Sequence, residues 1–153
     1  MGYNGLKKSW IFPGQASQFV GMGKDLFDNT DIGKKYYNLA NDILEVDIQD
    51  ISFNGPEEKL KITKYTQPAI FIVSSVISHL LIENGHVPGC VAGHSLGEYS
   101  ALTAVGGISF ETGLELVKIR SNSMDKAGIT NPGTMAAIIG LNMDSVVKLA
   151  NSI

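Results

Sequence analysis

Pro88-Gly89-Cys90-Val91-Ala92-Gly93-His94-Ser95-Leu96-Gly97-Glu98-Tyr99 is the stretch on which the reading turns. Pro88 to Gly93 reads as a short buried strand. Leu96 to Val105 has a helical pattern, stopped by Gly106-Gly107. Between them lies Gly93-His94-Ser95-Leu96-Gly97, a G-x-S-x-G at a strand-to-helix junction, which is the setting that motif needs. A serine on so cramped a turn projects its hydroxyl outward. The backbone N–H groups that follow sit at a helix N-terminus and face a reacting carbonyl. The plainer alternative is an ordinary glycine-rich strand-to-helix turn.

Outward from that turn, strands and helices alternate. Ser9-Trp10-Ile11-Phe12 is an apolar strand ended by Pro13-Gly14. Lys24 to Asn29 and Gly33 to Leu44 read as helices, and Pro56 to Ile62 as a charged helical turn. Thr66 to Asn84 reads as a buried core helix, with Pro68 in its first turn and Gly85 as its stop. Its apolar run is broken by Ser74, Ser75, Ser78 and His79, whereas a membrane span needs ~20 mostly apolar residues, so no membrane span is expected. Ser109 caps a helix from about Phe110 to Ala127. A strand is predicted over Met135 to Ile139, and Asn142 caps a last helix, Met143 to Asn151. The turn-rich loop Gly128 to Gly133 is the candidate boundary. The fold class that follows is α/β, with helices layered around a mainly parallel sheet.

Composition narrows the function. The chain has 153 residues, 44% hydrophobic and 18% charged, enough to build a core. Glycine supplies 17 of the 153 residues, above the average of ~7%, as a fold with many tight turns requires. A formal charge of −3 argues against nucleic acid as a partner. A single cysteine, Cys90, excludes an internal disulfide framework and suits a reducing compartment. Met1 to Lys8 lacks the layout of a secretory signal, so a cytoplasmic location is expected. No His/Cys cluster has metal-ligand spacing, so no metal is expected.

Three further features bear on the site. Gly113, Val117, Arg120, Met124 and Ala127 share one helical face, and Arg120 is its only charge. An inward guanidinium needs an anionic partner, either a protein carboxylate or a ligand's, unless it snorkels to water. His94 adjoins Ser95, but neighbours on a tight turn point apart, which favours a packing or supporting role over that of a base. His79 lies on the core helix, and His86 follows it in a solvated turn. The loop Phe12-Pro13-Gly14-Gln15-Ala16-Ser17-Gln18 is either a plain surface loop or the source of a second oxyanion donor opposite the elbow.

Taken in order, Phe12-Pro13-Gly14-Gln15 with Ser17-Gln18 and Gly21-Met22-Gly23, Thr66-Gln67-Pro68-Ala69, Gly93 to Tyr99, and Arg120 resemble the acyltransferase family of malonyl-CoA:acyl carrier protein transacylases. The similarity covers essentially the whole chain. Acyltransferase domains of polyketide and animal fatty acid synthases are similar too. The resemblance implies that Ser95 is the acylated nucleophile. It implies that Gln15 and Leu96 form the oxyanion hole through backbone N–H groups, and that Arg120 holds the malonyl carboxylate. Gln67 and His94 would line the pocket. Leu96 after the serine is similar to malonyl-specific members. The implied partners are a coenzyme A thioester and the phosphopantetheine thiol of acyl carrier protein, with no cofactor, in fatty acid synthesis.

Two departures accompany it. The family's first loop usually reads Gly-Gln-Gly-Ser-Gln, and Ala16 stands here in place of the middle glycine. If that position requires positive φ, alanine is strained there by ~1 kcal/mol. Family members are also about twice as long. The resemblance implies an α/β-hydrolase-like core over residues 1–128, incomplete here, and the start of a ferredoxin-like small domain over 129–153. The base histidine is expected in the other half, so this chain is expected to be an N-terminal portion with little activity alone. The competing functions are a serine hydrolase or thioesterase with the same elbow, and a non-catalytic binding protein.

Overall fold

The computed structural model describes residues 8–130 and 138–152. Two strands, β1 (Ser9–Phe12) and β2 (Cys90–Gly93), pair in parallel with Ser9 opposite Cys90 and Phe12 opposite Gly93. Six helices lie between or beside them: α1 (Lys24–Asn29), α2 (Asp31–Leu44), α3 (Ile48–Asn54), α4 (Glu57–Leu60), α5 (Thr63–Glu83) and α6 (Gly97–Ala104). Two more follow, α7 (Phe110–Thr130) and α8 (Met143–Ala150).

The main core is helical. Ile70, Phe71, Ile72 and Val76 of α5 are buried with Leu114 and Val117 of α7, Tyr37 and Ala40 of α2, and Leu96 before α6. Burying a Leu, Ile or Phe side chain is worth about 1.5–3 kcal/mol, so this cluster dominates the stability. Gly113 permits close approach, because a Cβ there would lie 2.6 Å from Phe71 Cζ. A smaller cluster, Phe12 with Ala101 and Ala104, fixes α6 against the sheet.

Helix ends follow the caps the sequence carries. Ser109 Oγ accepts from Thr112 N at 3.1 Å, and Asn142 Oδ1 accepts from Ser145 N at 2.9 Å. Gly85, at φ +78°, closes α5, with its N–H on Ile82 O at 2.9 Å and the His86 N–H on Leu81 O at 2.9 Å.

Several expectations are corrected. The α2 helix begins at Asp31, because Thr30 Oγ1 accepts from Gly33 N at 3.0 Å and so acts as the N-cap. The charged turn shortens to α4. Pro68 lies inside α5, which starts at Thr63, well past the first turn. α3, capped by Asp47, was not expected. The strand at Cys90–Gly93 is not buried: Cys90 and Ala92 are exposed, since α6 covers one face of the sheet only. Gly128 to Thr130 continue α7 and are not loop. The rest of that loop, 131–133, and most of the strand predicted over Met135 to Ile139 lie outside the described residues.

The α5 helix is long and apolar enough to cross a membrane, yet 61% of its most apolar window is buried within the protein. Eleven of its residues are buried, so it is a core helix, as its interruptions by serine predict.

Candidate active site

The elbow takes its shape from the two glycines. A Cβ on Gly93 would run into the Gly97 and Glu98 backbone, and one on Gly97 would run into Phe12 O. Strand β2, helix α6 and the end of β1 therefore meet at backbone distance. Ser95, between them, adopts φ +51°, a left-handed conformation that costs a non-glycine residue about 1–2 kcal/mol. Ser95 is exposed.

Arg120 reaches this hydroxyl from α7. Its Nη2 donates to Ser95 Oγ at 2.7 Å, and its Nη1 donates to Gln67 Oε1 at 2.5 Å. Gln67 is buried at 1% exposure. Its Nε2 donates to Gln15 Oε1 at 3.4 Å and to Met124 Sδ at 3.3 Å. A guanidinium only donates, so the amide must present oxygen to Arg120 and its NH₂ elsewhere. Gln15 Nε2 in turn donates to Thr63 Oγ1 at 3.2 Å. Gln15, Gln67, Arg120 and Ser95 thus form one hydrogen-bonded chain across the first loop, α5, α7 and the elbow.

Neither partner of Arg120 carries charge. Among the described residues no carboxylate pairs with it. Its guanidinium carbon lies 6.0 Å from the centre of the Tyr99 ring. The rest of the stripe behaves unevenly: Gly113 and Val117 are buried, Arg120 and Met124 half-buried beside the site, and Ala127 exposed.

The first loop is held tightly. Ala16 adopts φ +82°, so this position does take the conformation for which glycine is the easier residue. The Ala16 N–H donates to Gln18 Oε1 at 2.9 Å, and Ser17 Oγ donates to Gly14 O at 2.7 Å. Among the described residues the backbone N–H groups of Gln15 and Leu96 donate no hydrogen bond. Leu96 directly precedes α6, and its side chain is fully buried.

The histidines stand apart from the hydroxyl. His94 packs on the first loop, where a Cβ on Gly14 would lie 2.7 Å from its Nδ1. His79 bonds Tyr36 Oη at 3.4 Å and Glu83 at 3.2 Å, and is part-exposed, not fully buried in the core. His86 is exposed. No group of three or more His, Cys, Asp or Glu that could hold a metal occurs among the described residues. The sequence reading places Tyr99 in the elbow motif and Met124 in the Arg120 stripe without giving either a contact in the site, and it misses Thr63. Tyr99 and Thr63 had a usable signal, for Tyr99 lies four residues after Ser95 and Thr63 four before Gln67, one helical turn in each case.

A strained serine on the turn from a parallel strand into a helix, with a cation across from it, marks an α/β protein with a G-x-S-x-G elbow. The chain belongs to the acyl transferase domain family, whose profile matches residues 9–150. It is 37% identical over 147 residues to the malonyl CoA-acyl carrier protein transacylase of Bacillus subtilis, covering 96% of this chain and 46% of that protein. It is 46% identical over 134 residues to the Synechocystis protein of the same name, covering 88% of this chain and 44% of that one. The crystal structure of the Synechocystis malonyl-CoA:ACP transacylase superposes with a TM-score of 0.77 at 47% identity, over 80% of this chain and 41% of that one. A malonyl-transacylase in complex with a type II PKS acyl-carrier protein gives 0.81 at 35% identity, over 95% and 48%. The chain spans about half the length of the relatives it matches.

Proposed function

We propose that this chain carries the nucleophile half of a malonyl-CoA:acyl carrier protein transacylase, working in the cytoplasm in fatty acid synthesis. The observation that carries the reading is Arg120, a half-buried cation held 2.7 Å from the Ser95 hydroxyl with only neutral partners. The relatives' names support the substrate, since malonyl-CoA presents a thioester at one end and a carboxylate at the other.

Ser95 Oγ attacks the thioester carbonyl, and a base takes the hydroxyl proton. The C–S bond breaks and coenzyme A leaves as the thiol. The oxyanion formed on the way accepts from the Leu96 and Gln15 N–H groups, both uncommitted among the described residues. The phosphopantetheine thiol of the carrier protein then attacks the serine ester, and Ser95 regains its proton. Gln67 holds one edge of the Arg120 guanidinium, leaving the edge now on Ser95 to meet the malonyl carboxylate as a bidentate pair. The reading needs no cofactor. On this view residues 1–128 belong to an α/β-hydrolase-like core, and residues 129–153 open a ferredoxin-like small domain.

The test uses a continuous protein in which residue 150 leads into the second half of the Synechocystis relative. Changing Arg120 to Ala should cut malonyl transfer by about 10- to 100-fold, the worth of hydrogen bonds to a charged group. Acetyl transfer should fall far less. Equal loss for both acyl groups refutes the carboxylate role, and release of free malonate in place of malonyl-carrier makes the protein a hydrolase.

A further inference from the structure

The first loop is tied to the helical core by one side chain. Residues 15–20 bond within their own loop, as Ala16 N does to Gln18 Oε1 and Ser17 Oγ to Gly14 O. Such bonds fix the shape of the loop but not its place on the molecule. Among the described residues, only the Gln15 side chain hydrogen-bonds this stretch to another element. Its Nε2 donates to Thr63 Oγ1 at 3.2 Å, and its Oε1 accepts from Gln67 Nε2 at 3.4 Å. Thr63 and Gln67 stand four residues apart at the start of α5, on one face of that helix.

The polarity of these amides is set from the Arg120 end. A guanidinium only donates, so it takes the Gln67 oxygen. That turns Gln67 Nε2 toward Gln15 and, in consequence, Gln15 Nε2 toward residue 63. The group at position 63 must therefore accept. A threonine hydroxyl has lone pairs for this, and an aliphatic side chain of the same shape has none. The Thr63 bond is the shorter of the two on Gln15. Gln67 depends on the loop less than the loop depends on Gln67, for it is 1% exposed and its NH₂ has a second acceptor in Met124 Sδ at 3.3 Å.

We propose that Thr63 is a positioning residue, whose hydroxyl anchors the Gln15 amide on α5 and so sets where the Gln15 backbone N–H stands in the site. That N–H donates no hydrogen bond among the described residues, so its aim follows from the placement of the loop. The inference rests on the acyl-transfer reading, in which this N–H meets the oxyanion. Thr63 acts there through Gln15 and touches no reacting atom.

In the continuous join to the Synechocystis second half, Thr63→Val should lower kcat by about 3- to 10-fold, the worth of a neutral hydrogen bond, with KM nearly unchanged. Malonyl and acetyl transfer should fall equally, because both pass through the same oxyanion. Thr63→Ser should restore the rate. In a Gln15→Leu background, which keeps the backbone N–H and removes the amide, Thr63→Val should cost nothing further. Unchanged transfer, a loss confined to malonyl, failure of serine to rescue, or losses that add to Gln15→Leu would each overturn the proposal. The anchor is also read without chemistry, by nitrogen relaxation on the 153-residue chain. The Gln15 and Ala16 backbone amides should be more mobile in Thr63→Val than in the unsubstituted chain or in Thr63→Ser. Equal mobility overturns the proposal whatever the join does. A join that transfers neither acyl group refutes the acyl-transfer reading, and relaxation then decides the anchor by itself. Thr63→Ala takes the place of the valine variant if that one fails to fold.

Discussion

Ala16 stands at φ +82° in the loop that approaches Ser95. A left-handed alanine costs about 1–2 kcal/mol, and glycine adopts the same angle freely. Ala16→Gly should therefore stabilise the protein. The gain is partly offset because glycine also frees the unfolded chain, by about 0.4–1 kcal/mol. The net increase should be about 1 kcal/mol or less, read as a higher urea midpoint at constant m-value. A fall in the midpoint would show that the Ala16 methyl group makes a contact outweighing its strain. Ser95 is strained in the same sense. On the proposed reading that conformation presents the nucleophile, so relieving it should cost activity, whereas relief at Ala16 should not.

At the level of elements, one side chain serves the end of α1 and the start of α2. Thr30 Oγ1 donates to Leu26 O at 2.6 Å and accepts from Gly33 N at 3.0 Å, closing one helix and capping the next. Gly33 lets the helices touch, since a Cβ there would run into Leu26 O. Thr30→Ala removes both bonds at once and should cost about 1–2 kcal/mol, the upper part of the range for an N-cap. Urea unfolding measures it, and Thr30→Ser should recover most of the loss. The Thr30 cap is legible in the sequence, but Gly33, three residues on, competes with it as a helix start. Ser109 was legible because it directly precedes the 21-residue run of α7, and Asn142 because it directly precedes the alternation of apolar and charged residues in α8. α3 was not: seven residues give too few turns for a period to stand out, and its cap, Asp47, sits among other polar residues.

Across the whole molecule, legibility falls with sequence separation. The stripe through Arg120 was readable because its members share one helix. Its partners, Gln67 and Ser95, lie 53 and 25 residues away, and only packing of α5 and the elbow against α7 brings them to it. The exposure of β2 was unreadable for a related reason: an apolar strand shows what it can bury, while burial itself depends on what covers it. Separation along the chain bears on activity too. All three histidines of this chain are accounted for, and none reaches the Ser95 hydroxyl, which Arg120 holds instead. Positioned proton transfer contributes about 10²- to 10⁴-fold to such reactions. The 153-residue chain given malonyl-CoA should therefore acylate Ser95 slower than an intact relative by at least that factor, while Ser95→Ala takes up none. Mass spectrometry of the Ser95 peptide over time measures the rate. Acylation within tenfold of an intact relative would mean that a group of this half, with His94 the nearest in sequence, moves onto the hydroxyl once the thioester carboxylate draws Arg120 away.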